Sequence, residues 1–173
     1  MPHTTLLLSL AAIAIVAFYL GRGRAVATVG GPRHGRLLHS LPGYYGYYVL
    51  LWCLLPPLIV ALLWVFIEPR VIVALIIKGL PDAQRSMSTG ELNLLVNNIQ
   101  NLAIGDAVSG DVDAVLREAS ARYVELHAQS QTLLSVLALG LAAIGGVSSW
   151  RRIQPDLRAR NRVERAVQAF LVL

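Results

Sequence analysis

No charged side chain stands between Tyr47 and Ile67, a run of 21 residues, nor between Ala128 and Trp150, a run of 23. A further run, Thr4–Leu20, adds 17 apolar or hydroxyl-bearing residues. As helices these runs rise about 25–35 Å, which matches the hydrocarbon thickness of a bilayer. Lipid offers no partner to backbone N–H and C=O groups, so long apolar runs of this kind are held to helices. The expectation is an all-α, polytopic membrane protein. It has three transmembrane helices, the start of a fourth after Arg165, and an extramembrane helical hairpin. The composition agrees, with 55% hydrophobic and 14% charged residues, where a soluble domain carries about 25% charged.

The first run has a rival reading as a cleaved signal peptide. A signal wants a basic start and a small-x-small cleavage site directly after its apolar core. Met1–Thr5 offers only His3, and Arg22 and Arg24 separate the core from Ala25-Val26-Ala27. A retained span is therefore expected.

The basic residues sit in short blocks beside the apolar runs, so the net charge of +5 is read as membrane topology rather than nucleic-acid binding. Residues 21–46 carry four arginines and no acid, residues 68–130 carry five basic and eight acidic groups, and the tail from Arg151 carries six basic and two acidic. That alternation predicts a periplasmic N-terminus, a cytoplasmic loop at 21–46, a periplasmic segment at 68–131 and a cytoplasmic linker at 151–166. The expected organisation is two spans within 1–67, the helical segment 68–131, a third span at 132–150, the linker, and the start of another span at 167–173. Eight residues after Arg165 are too few to cross.

Pro56 and Pro57 interrupt the second run, and each lacks the N–H a helix needs. A kink or opening is expected there, in a span packed inside a bundle. A broken helix lining a transport site is the alternative, but no polar or ionisable side chain lies nearby to serve one. Glu68-Pro69-Arg70 is expected to end the span, with Pro69 opening a short interfacial helix over 71–81 from which Lys78 reaches toward headgroups. The tyrosines 44, 45, 47 and 48, and Trp150, are expected in the interfacial belt. Ala138, Ala142 and Gly146 recur every four residues and form a small-residue packing face. Gly145-Gly146 is expected to loosen the last turns before Trp150.

In the outer segment, Ser88-x-x-Glu91 reads as a capping box. It is followed by an apolar stripe of Leu92, Leu95, Val96, Ile99, Leu102 and Ala103, predicting a helix over 91–104. Residues 105–111 read as a turn, Asp111 as an N-cap, and Asp113 as favourable near the helix start. A second stripe, Val112, Val115, Leu116, Ala119, Tyr123 and Leu126, continues without glycine or proline to Gly140. One helix from 112 to 149 is predicted, with the two stripes buried against each other.

No catalytic, cofactor-binding or metal-binding residue is nominated. Gly21-Arg22-Gly23-Arg24 lacks the lysine, serine and strand–helix setting of a phosphate loop. The four histidines, 3, 34, 39 and 127, have no ligand spacing, and the single Cys53 permits no internal disulfide. No enzyme is expected, and ATP hydrolysis would belong to another subunit.

The segments GRGRAVATVGG (21–31), LHSLPGYYGYYVLLWCLLPPL (38–58) and RARNRVERAV (158–167) together resemble the N-terminal extension of a bacterial phosphate ABC transporter permease of the PstC type. In that form a basic loop, a tyrosine-rich segment and a proline-containing span precede the permease core, and Arg160–Arg165 resembles the junction. The resemblance implies phosphate import across the cell inner membrane. It also implies partnership with a second permease subunit, cytoplasmic ATP-binding subunits and a periplasmic phosphate-binding protein. The translocation core would lie beyond Leu173, so the extension is expected to dock, stabilise or regulate. A membrane sensor with a periplasmic helical domain is the alternative, because Trp150–Val167 also resembles the linker of a receptor kinase. A plain membrane anchor is the third.

Overall fold

A computed structural model describes residues 3–105 and 113–172. Among these every regular element is helical: α1 (His3–Thr28), a 3-10 helix (Pro32–Leu37), α2 (Pro42–Gly79), α3 (Asp82–Arg85), α4 (Thr89–Ile104), α5 (Ala114–Arg151) and α6 (Ala159–Val172). Three of them, α1, α2 and α5, are long and apolar enough to cross a membrane. By internal packing the chain divides into two units: residues up to Ala61 together with those from Ser135 onward, and Leu62–Leu134. Helices α2 and α5 each contribute residues to both.

Helix α1 outlasts its apolar run by two turns and ends at Gly30 and Gly31, whose φ of 81° and 118° suit residues without a Cβ. Gly31 N–H donates to Val26 and Gly30 N–H to Ala27, so carbonyls of the last turn are satisfied.

Helix α2 overturns two local expectations. It is a single helix of 38 residues, and neither Pro56-Pro57 nor Pro69 ends it. The predicted stop at Glu68 and the separate interfacial helix over 71–81 are therefore corrected. Proline removes one hydrogen bond from a ladder, and tertiary packing can cover that loss. For Pro56 the cover is visible. The freed carbonyl is that of Trp52, and Gly145 of α5 lies directly against it, so closely that a Cβ at 145 would collide with the oxygen. A glycine Cα–H can then serve as a weak donor to that oxygen. Gly146 faces the Cys53 side chain, which would stand 3.6 Å from an added Cβ. Gly145-Gly146 therefore does not loosen α5, which continues to Arg151. It lets two backbones approach.

A second close crossing joins α1 to α2. A Cβ on Gly21 would stand 2.9 Å from the Tyr45 carbonyl oxygen, and one on Gly46 2.8 Å from that of Phe18. The predicted small-residue face is also used within the chain, with Ala138 and Ala142 buried and Gly146 half-buried.

In the unit 62–134 the packing is of a different kind. Ile72, Ile76 and Leu80 of α2, Ile99 of α4, and Leu116 and Ala119 of α5 form one apolar core. Leu92, Leu95, Leu102, Val115, Tyr123 and Leu126 pack against it. Most of the two predicted stripes thus packs into or against one core, shared by three elements rather than formed by a two-helix hairpin; Val112 lies outside the described residues. The 72–80 stretch supplies the centre of the core because its isoleucines repeat every four residues, on one face. The Ser88 cap is present in full: its hydroxyl accepts from Glu91 N–H, and its own N–H donates to the Glu91 carboxylate at 2.9 Å. Gly105, at φ 83°, closes α4. Asp111 lies outside the described residues. Asp113 performs the capping of α5, accepting from Leu116 N–H at 2.7 Å.

Candidate docking site at the tyrosine segment

The segment 38–48 and the stretch 153–162 are held together in one unit. Pro42 starts α2, at a position where its missing N–H costs nothing. One turn later Tyr45 points inward and is fully buried. Its hydroxyl donates toward two carbonyls, Leu157 at 3.0 Å and Pro155 at 3.2 Å. His39 N–H donates to Pro155 at 3.2 Å, and Arg160 N–H meets the Ser40 hydroxyl at 3.4 Å. Pro155 cannot continue α5, and the chain crosses to α6 by a turn that buries Ile153 and Ala159. The tyrosine thus adds a second donor to two irregular carbonyls, beside His39 N–H on Pro155 and Ala159 N–H on Leu157.

Two arginines of α6 then pack along α2. Arg160 lies 6.0 Å from the Tyr44 ring and Arg162 6.0 Å from the Tyr48 ring, within cation–π range. Numbers rise together on both helices, so α6 runs parallel to the start of α2. Glu164 pairs with Arg160 at 2.7 Å, and its hydrogen bond holds the guanidinium pKa above the ordinary arginine range.

These contacts correct the expectation that the four tyrosines share the interfacial belt. Tyr45 and Tyr48 are buried and Tyr47 is exposed. A helix turns about 100° per residue, so four adjacent rings cannot share one environment. Trp150 also has a partner: the Arg24 guanidinium lies over its ring at 4.0 Å.

The unit 62–134 holds a polar cluster around Glu68, a residue expected at the end of a span. The Glu68 side chain is only 7% exposed, and His127 Nδ1 stands 3.0 Å from its Oε1. The alignment falls short of a directed hydrogen bond, so the contact is chiefly one of charge when the ring is protonated. Gln131 lies 2.9 Å from His127 Nε2. Tyr123 stacks on the ring at 6.3 Å, and Trp64 N–H donates to the Ser130 hydroxyl at 2.9 Å. The sequence signal was present: Glu68 follows one charge-free run and His127 precedes the other. Their meeting requires α2 and α5 to lie antiparallel side by side.

No group of three or more His, Cys, Asp or Glu side chains that could hold a metal ion occurs among the described residues. What the geometry offers is adhesion: a buried anchor, cationic faces on aromatic rings, and glycine-lined crossings. Neither a curated protein nor a solved structure matches the chain. A family model does, over residues 7–173, and its description is phosphate ATP-binding cassette transporter. With nearly its whole length matched, the chain belongs to this phosphate ABC transporter family.

Proposed function

We propose that this chain is the N-terminal membrane region of a PstC-type permease subunit of a phosphate importer. In this reading it docks, stabilises or regulates the permease core and does not itself line the phosphate path. The carrying observation is the Tyr45 anchor. It grips Pro155 and Leu157 immediately before α6, so whatever follows α6 leaves the bundle from a fixed point and in a fixed direction. The parallel course of α6 along α2 supports its reading as the start of a further span. The core would then pair with a second permease and engage cytoplasmic ATP-binding subunits. A periplasmic phosphate-binding protein would deliver the ion. The basic blocks at 21–46 and from 151 support a location in the bacterial inner membrane, with these blocks cytoplasmic and 68–131 periplasmic.

The test is deletion of residues 1–156 from the full-length protein, followed by labelled-phosphate uptake and assay of phosphate-dependent gene repression. Reduced assembly or uptake supports docking and stabilisation. Normal uptake with lost repression supports regulation. If both stay normal, the proposed role fails. The sensor reading draws on one observation, the unbroken α5, which joins residues of the outer segment to the third span. It predicts the lost-repression outcome alone.

A further inference from the structure

An apolar groove of about 320 Å³ opens among α1, α2 and α5 in the first unit. Ile13, Ala17 and Leu20 of α1 line one wall, Val49 and Cys53 of α2 its floor, and Ala143, Val147 and Trp150 of α5 the other wall. On α1 the lining positions follow the 13, 17, 20 register, and the next residue on that face is Arg24. Arg24 closes the series by laying its guanidinium on Trp150, itself a lining residue, at 4.0 Å. Among the described residues the Arg24 Nε is buried without a hydrogen-bond partner, and no ion pair involves this residue. Stacking uses the flat face of a guanidinium and leaves its edge donors for an anion. A second, shallower groove runs beside the first and shares Ala143 and Val147 with it. This one ends at Arg151 and Arg152.

We propose that these paired grooves hold the acyl chains of an anionic phospholipid, with Arg24, Arg151 and Arg152 gathered at its phosphate. The inference goes beyond the transport reading and needs only that α1, α2 and α5 lie in a bilayer. One feature selects lipid over a partner helix: the cations stand at one end only, which matches a molecule with one charged end. A phosphate oxygen then meets the outer edge of the Arg24 guanidinium, a charge-assisted contact.

The experiment is native mass spectrometry of the full-length protein released from nanodiscs of equal phosphatidylglycerol and phosphatidylcholine. The expected result is retention of at least one phosphatidylglycerol, preferred about fivefold or more over phosphatidylcholine, the size expected for one near-surface arginine. Arg24→Gln should lower that preference about fivefold. Ala143→Phe, which adds a ring at an exposed groove position, should abolish retention of both lipids. Arg22→Gln, an exposed residue on another face, should change nothing. Maleimide labelling of Cys53 reports whether each variant keeps its helix packing. A variant that loses the packing is replaced by Val147→Phe for the groove or Arg24→Lys for the charge, with full and partial retention expected respectively to fall and persist. Equal retention of the two lipids, or unchanged preference in Arg24→Gln, overturns the proposal. So does an Ala143→Phe chain that keeps its lipid but loses other transporter subunits, the outcome expected if a partner helix fills the groove.

Discussion

The two units pack by opposite means. Around Gly21, Gly46, Gly145 and Gly146 the helices meet backbone to backbone, and the residues between them are small. Around Ile72, Ile76 and Ile99 they meet through branched side chains. In water, burying an isoleucine is favourable because it leaves water. In lipid it merely exchanges one hydrocarbon neighbour for another, so stability must come from close approach and satisfied backbone groups. The first unit therefore uses glycine at its crossings, and the second an apolar core framed by a capped α4. This contrast fits a first unit embedded in lipid and a second standing largely in water, as proposed above.

The largest effect expected from breaking the contrast is at Ile99, fully buried in the second core. Ile99→Ala should cost about 2–5 kcal/mol through lost burial and an unfilled cavity, measured by thermal unfolding in detergent. Labelling of Cys53 by maleimide should stay slow in the same variant.

Next comes Gly145→Ala, for which the obstacle is the rigid Trp52 carbonyl. About 1–3 kcal/mol of strain is expected, and Cys53, now buried, should label faster as α2 and α5 separate. A Gly145→Ala chain with wild-type stability and labelling would break the account of the proline-freed carbonyl.

Tyr45→Phe should follow, at about 1 kcal/mol, because it removes one of the two donors to each of the Pro155 and Leu157 carbonyls, His39 N–H and Ala159 N–H remaining. Protease cleavage between Arg151 and Arg160 should rise, while the second unit is unaffected.

The cap of α4 responds to acid. The Ser88 hydroxyl, and then its backbone N–H, hold the exposed Glu91 carboxyl below the usual glutamate pKa. A carboxylate with a depressed folded pKa stabilises fully above its unfolded value, near 4.3. That contribution fades as pH falls through the folded value. Amide exchange in the first turn of α4 should therefore quicken, beyond the intrinsic rate change, as the medium is acidified below about pH 4, and Ser88→Ala, which keeps the backbone N–H but loses the hydroxyl, should reduce the effect.

Gly79→Ala should matter least. The atom that a new Cβ would meet is the end of the Arg122 side chain, which can swing away, so a change within about 0.5 kcal/mol is expected. The same substitution at 145 and 79 thus separates backbone contact from flexible contact.

The spans were legible because hydrophobic length needs no tertiary information. The capping box and both outer stripes were legible because their spacings are local. Other errors share one cause. Pro69 carries a strong local signal to begin a new helix, and Gly145-Gly146 one to loosen the last turns. Neither signal says whether a neighbouring helix will cover the freed carbonyl or fill the notch. Four adjacent tyrosines read as a belt, but which ring turns inward depends on a tail more than a hundred residues away.

Composition and periodicity by themselves determined that the chain is helical, that three stretches can cross a bilayer, and where α4 begins. Each follows from interactions within a few residues or with a uniform solvent. Tertiary structure alone decided that α2 stays whole, that Tyr45 locks the tail, and that Glu68 meets His127. These depend on one particular neighbour at one particular distance, which no local pattern encodes.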